Sequence, residues 1–193
     1  MTHEKAHFNP KSTRWIISLI VMIILSAAVI FGSKALYDIA NQKYNEPVEV
    51  SFTIAKTAPV DISAQSGNEY NVTAVEEAYD EAGNLVAYVV TGTTVGYNAE
   101  SPIEMSTVIS ADGTLVCGVE ILSQKETEYL GVRICQATFT DQFTGRYLPV
   151  VAAGSTDKGS PIDMIAKSTI SSEAVVDGVN NAKDFCQSFL IAE

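Results

Sequence analysis

Residues 166–172 read Ala-Lys-Ser-Thr-Ile-Ser-Ser. They set Ser168, Thr169, Ser171 and Ser172 beside Lys167 and Ile170, just ahead of an apolar pattern of helical period. Hydroxyls in that place do one of two things. They cap, accepting hydrogen bonds from the free N–H groups of a helix's first turn. Alternatively they stand where those N–H groups and the positive end of the helix dipole hold an anion such as phosphate. Capping is the commoner use, and residue types alone leave both readings open.

The elements around this cluster follow from periodicity and turn chemistry. Val175, Val176, Val179, Ala182, Cys186 and Phe189 recur every three to four residues, which predicts an amphipathic helix over 172–190. Upstream, Gly83-Asn84 makes a turn into a β-rich run over 85–97. Residues 102–110 and 115–123 form two more strand patterns, and the Asp112-Gly113 pair between them is a hairpin signal. Residues 50–56 and 148–153 have strand character. Residues 74–80 fit a short helix or an extended piece equally well. Between 124 and 147 the β pattern breaks into a loop and a short helix marked by Ile134, Phe139 and Phe143. The fold class expected is α+β: an antiparallel sheet with flanking helices, preceded by one N-terminal transmembrane helix.

That last element rests on Trp15–Gly32, 18 residues without a charge, about the minimum that crosses the hydrocarbon core as a helix. The first 14 residues carry Lys5, Lys11 and Arg14 against Glu4, a net charge of +2, so this end is expected in the cytoplasm. The whole chain carries −11, which leaves −13 beyond residue 14. Such an acidic excess argues against nucleic acid as a partner. The organisation expected is a cytoplasmic N-terminus (1–14), an anchor in the lipid of the cell membrane (15–32), a linker (33–49) and an extracytoplasmic domain (50–193). His3 and His7 both precede the anchor, so the outer domain has no imidazole for a catalytic triad or a histidine metal site. Cys117, Cys135 and Cys186 are far apart without a C-x-x-C, which speaks against zinc and iron–sulfur centres. One disulfide plus a free thiol, and three buried thiols, both remain open.

The order of motifs adds a resemblance. Gly96-Tyr97 precedes Pro102-Ile103, and a Gly118–Leu122 strand follows a turn. Then come Glu126-Thr127-Glu128-Tyr129-Leu130-Gly131 and, after Asp163, Thr169-Ile170-Ser171-Ser172 ahead of Ala174-Val175-Val176. From about Val72 to Asn181 this resembles the FMN-binding domain of the G subunit of Rnf-type ferredoxin:NAD oxidoreductases, related to the C subunit of the sodium-translocating NADH:quinone reductase. The resemblance implies an electron-carrier subunit rather than a self-contained enzyme. It implies FMN esterified through its phosphate to Thr169 by a flavin transferase, with Glu126, Thr127, Leu130 and Gly131 beside the flavin. It also implies other membrane subunits of such a complex as partners. Two alternatives are a structural subunit without flavin and a free-standing anchored flavoprotein. The chain departs from the family at two turns. Ala166-Lys167-Ser168 stands for Ser-Gly-Ala, and Glu128-Tyr129 stands for Pro-Gly. A glycine in the first turn implies a backbone angle or a close approach that Lys167 resists, while the Lys167 ammonium would neutralise a phosphodiester.

Overall fold

The computed structural model describes residues 22, 25–26, 28–33, 36, 42–65 and 67–191. The chain separates into two units, residues 1–42 and 43–193. In the first, the described residues are helical and their side chains are exposed, among them Met22, Leu25, Val29, Ile30 and Phe31. Among the described residues no helix is long and apolar enough to cross a membrane. Most of the 15–32 stretch expected to be an anchor lies outside them.

The second unit is built on a six-stranded antiparallel sheet whose spatial order is its chain order. Its strands are β1 (Lys56–Pro59), β2 (Val72–Tyr79), β3 (Leu85–Thr94), β4 (Ile103–Ser110), β5 (Leu115–Ser123) and β6 (Arg146–Tyr147). Alternation drives β4, where Ile103, Met105, Thr107 and Ile109 turn inward and the residues between them do not. The open segment 74–80 resolves as strand, because β2 pairs along β3 from Val72 to Tyr79. The strand expected over 50–56 instead begins at Lys56. Lys56 faces Tyr79, the last residue of β2, and the Ala55 N–H donates to the Tyr79 carbonyl at 2.8 Å, so the pairing runs out there. Pro59, which has no N–H to donate, is tolerated because β1 is an edge strand.

Both expected turns form. Gly83 (φ 83°) closes the β2–β3 connection, where Asp80 Oδ1 accepts the Asn84 N–H at 2.8 Å. Gly113 (φ 69°) closes the β4–β5 hairpin. Residues 131–147 form the 3-10 turn Gly131–Cys135, the helix α1 (Ala137–Thr140) and a second 3-10 turn, Asp141–Phe143, before β6. They bury Ile134, Phe139 and Phe143 as their spacing predicts. Arg146 lies in β6, and its Nε donates to the Gln142 carbonyl at 3.1 Å. A parallel pair follows, β7 (Val150–Ala152) with β8 (Ser160–Ile162).

The long helix α2 (Thr169–Phe189) packs across β3, β4 and β7. Val175, Val179, Ala182, Phe185 and Cys186 face Val75, Val90, Ile103, Met105, Ile109 and Val116 in one apolar core. Two details lock the helix down. Asn180 exchanges both side-chain hydrogen bonds with the Val150 backbone, at 2.9 and 3.0 Å. Gly178 lets the helix approach β4, since a Cβ there would stand 2.4 Å from Met105 Sδ.

The three cysteines are unpaired: Cys186 is buried, Cys117 half-buried and Cys135 exposed. Burial pushes the Cys117 thiol up to about 11 and the Cys186 thiol up to about 12, so neither ionises readily.

Candidate functional site

Sheet register brings three loops to one end of the molecule. Thr94, the last residue of β3, faces Ile103, the first of β4, and Glu104 faces Ser123, the last of β5. The 95–102 connection and the 124–130 loop therefore emerge side by side. The turn into α2 closes against both.

A groove of about 370 Å³ opens there, lined by Tyr97, Thr127, Leu130, Lys167, Ser168, Thr169, Ile170 and Ser171. That size falls in the usual range for small-molecule sites. Its walls are unlike in character. One is apolar and open to solvent, with Tyr97 and Leu130 both exposed. The other is the first turn of α2.

The hydroxyl cluster does not cap the helix. Ser168, the residue before α2, makes no side-chain cap hydrogen bond, and its buried Oγ has no protein partner. Ser172 Oγ donates to the Ser168 carbonyl at 2.8 Å and accepts the Ile165 N–H at 3.2 Å, closing the turn beneath the groove. Ser171 Oγ donates to Glu126 Oε2 at 2.5 Å. Thr169, first residue of the helix, is exposed. The first backbone N–H groups of a helix have no partner within it, and here Ser172 is the first to bond back, to the Ser168 carbonyl at 3.0 Å. The groove thus holds a free hydroxyl, an orphaned hydroxyl, the positive end of a 21-residue helix and the Lys167 side chain.

Lys167 itself has φ 67°, the left-handed region that favours glycine. Tyr129 is the same case, with φ 63° and its side chain almost fully exposed. Both positions where the resemblance has glycine therefore take a backbone angle that glycine adopts without strain. The fold keeps the angle and a bulkier residue bears the strain.

The expected site residues assemble, with a division of labour. Thr127, Leu130 and 167–171 reach the groove, whereas Glu126, Gly131 and Ser172 lie behind it. Glu126 is buried, its carboxylate turned toward the backbone of Tyr97 and Asn98. Gly131 packs against it, and its N–H donates to Thr127 Oγ1 at 3.2 Å. Tyr97, which the motif sets beside Gly96, lines the groove as well, and that place in the motif is the sequence signal that singles it out.

An FMN-binding domain model matches residues 96–184, which holds every groove residue. The G subunit of the ion-translocating oxidoreductase complex of Methanosarcina acetivorans is 33% identical over 146 residues, covering 76% of each chain. This chain belongs to that G-subunit family. The G subunit of the Na(+)-translocating ferredoxin:NAD(+) oxidoreductase complex of Acetobacterium woodii is 43% identical over 103 residues, 51% of this chain and 48% of that one. Among solved structures, the C subunit of the Na(+)-translocating NADH-quinone reductase of Parabacteroides distasonis superposes with a TM-score of 0.55 at 18% identity. The match covers 84% of this chain and 96% of that one. This last likeness concerns the fold alone.

Proposed function

We propose that this chain is the electron-transfer subunit of a membrane-bound, ion-translocating oxidoreductase complex, with FMN linked through its phosphate to Thr169. In this reading the apolar stretch 15–32 anchors the chain, with residues 1–14 in the cytoplasm and the sheet domain outside. Other membrane subunits of the complex exchange electrons with it, and a flavin transferase installs the cofactor. Two G-subunit relatives, named for ion- or sodium-translocating complexes, support the assignment of class.

One observation carries the proposal: an exposed threonine at the first position of a long helix, in a groove with one apolar wall. The residues present fit the group. The helix N-terminus and Lys167 suit a phosphate, and the orphaned Ser168 Oγ lies in the same turn. Tyr97, Leu130 and Ile170 offer apolar surface to a flat ring. FMN would supply the one- and two-electron chemistry that these side chains lack, while the protein supplies orientation and electrostatics. A covalent tether also keeps the carrier beside its partners at high effective concentration.

A subunit without flavin is the second reading, and Lys167 favours it, because the turn a transferase must read has lost its glycine. Intact mass of the protein purified from its native membrane separates the two, with Thr169→Ala alongside and in-gel flavin fluorescence under denaturing conditions. The expected result is a mass increase of one FMN moiety that disappears in Thr169→Ala. An unmodified wild-type mass without fluorescence would leave the structural subunit.

A further inference from the structure

Glu126 is the most unusual side chain near the groove, and it does not enter it. It is only 6% exposed, and among the described residues no lysine or arginine forms an ion pair with it. Burying a carboxylate without a cation is costly unless hydrogen bonds satisfy it. Three donors do so. Oε2 takes the Ser171 hydroxyl at 2.5 Å and the Tyr97 N–H at 3.1 Å, and Oε1 takes the Asn98 N–H at 3.1 Å. Asn98 Nδ2 adds a bond to the Lys125 carbonyl at 2.8 Å. The space is cut to fit. A Cβ on Gly96 would stand 2.5 Å from Glu126 Oε1, and a Cβ on Gly131 would stand 2.5 Å from Glu126 Cβ.

We infer that Glu126 is a positioning residue of the groove: its buried carboxylate joins the Tyr97 loop to the first turn of α2 and places a fixed negative charge behind the wall. The two sides of the groove come from segments far apart in sequence, and Glu126 contacts both. Charge-assisted hydrogen bonds are stronger than neutral ones, so the carboxylate holds the groove width between Tyr97 and Ile170. The same charge opposes the gain of negative charge by anything bound in front of it. The charge effect rests on the reading that the groove takes a flavin; the strut does not.

The test uses the full chain in detergent, with and without co-expressed flavin transferase, as wild type, Glu126→Gln and Ser171→Ala. Gln keeps the shape and one acceptor oxygen but removes the charge. In flavin-free protein, Glu126→Gln is expected to speed amide exchange at both Tyr97-Asn98 and Ser172, the first hydrogen-bonded amide of α2, by roughly tenfold or more. Ser171→Ala should speed it at Ser172 and leave Tyr97 and Asn98 protected, since the two amides keep their acceptor. In flavin-loaded protein, Glu126→Gln should raise the flavin reduction potential and Ser171→Ala should not, a contrast that a purely structural role would not produce. Unchanged exchange at both segments in Glu126→Gln would overturn the strut, and an unchanged potential would overturn the charge effect. Should Glu126→Gln fail to fold, the Ser171→Ala exchange pattern decides, and equal loosening or none at the two segments would overturn the inference. If wild type acquires no flavin while exchange divides as expected, the strut stands and the flavin reading falls.

Discussion

At Lys167 the sequence and the backbone disagree. A non-glycine residue in the left-handed region costs about 1–2 kcal/mol, whereas glycine in the same place costs roughly 0.5–1 kcal/mol in chain entropy. The strain is the larger cost, so Lys167→Gly should stabilise the domain by up to about 1 kcal/mol, or roughly 2–4 °C in melting temperature for a chain of this size. Scanning calorimetry of the two proteins checks this. A lower melting temperature in Lys167→Gly would mean that the lysine side chain makes stabilising contacts that outweigh its backbone angle. Unfavourable backbone angles cluster at sites that present a group in one orientation, and Lys167 stands two residues before Thr169, the residue proposed to carry the flavin.

At the scale of elements, the pieces most legible from sequence were those with strong local rules. The β4–β5 hairpin followed from Asp112-Gly113, and α2 from apolar residues three and four apart. Less legible was β2, because Glu76 and Glu77 interrupt its alternation and a register shift between Val72 and Ala74 breaks its period. Only pairing with β3 decides it. The start of β1 was invisible for a similar reason, being set by where β2 ends. The groove was half legible. Motif order gave the residues that line it, but a buried Glu126 facing away from the groove depends on Gly96 and Gly131 leaving it space, which no local pattern announces. The hairpin turn offers a test of its own. Burial works to raise the Asp112 carboxyl, and hydrogen bonds from Ser110 and Thr114 outweigh it, holding it below its ordinary value. Such a carboxyl contributes stability above its unfolded pKa of about 3.9 and loses it as pH falls through the lower folded value. Asp112→Asn should therefore melt below wild type at pH 7, and the gap should close as the pH drops below about 4. A gap of constant size from pH 7 to pH 2.5 would show that the ionised carboxylate contributes nothing.

For the whole molecule the question is how the chain enters the folded unit. The contact-defined unit already begins at Lys43, inside the stretch expected to be linker. Tyr44 is 6% exposed and meets Tyr147 edge to face, ring centroids 6.5 Å apart. Lys43 Nζ lies 4.7 Å from the Tyr44 ring centre and 5.6 Å from that of Tyr147, and Lys158 Nζ lies 5.9 Å from the Tyr44 ring. Arg146 Nη1 donates to the Asn45 carbonyl at 3.0 Å, and the Val48 N–H donates to the Gly145 carbonyl at 2.8 Å. Gly145, with φ 73°, is held to glycine twice over, since a Cβ there would lie 2.0 Å from the Val48 carbonyl oxygen. Residues 43–48 are thus part of the domain. Tyr44→Ala in the full chain removes the buried ring and its aromatic and cation–π contacts. It should cost about 2 kcal/mol and make the chain near residue 43 newly sensitive to limited proteolysis, while the α2 segment stays resistant. Cleavage near residue 43 that is equally fast in wild type and Tyr44→Ala would mean that these contacts do not hold the segment against the sheet domain.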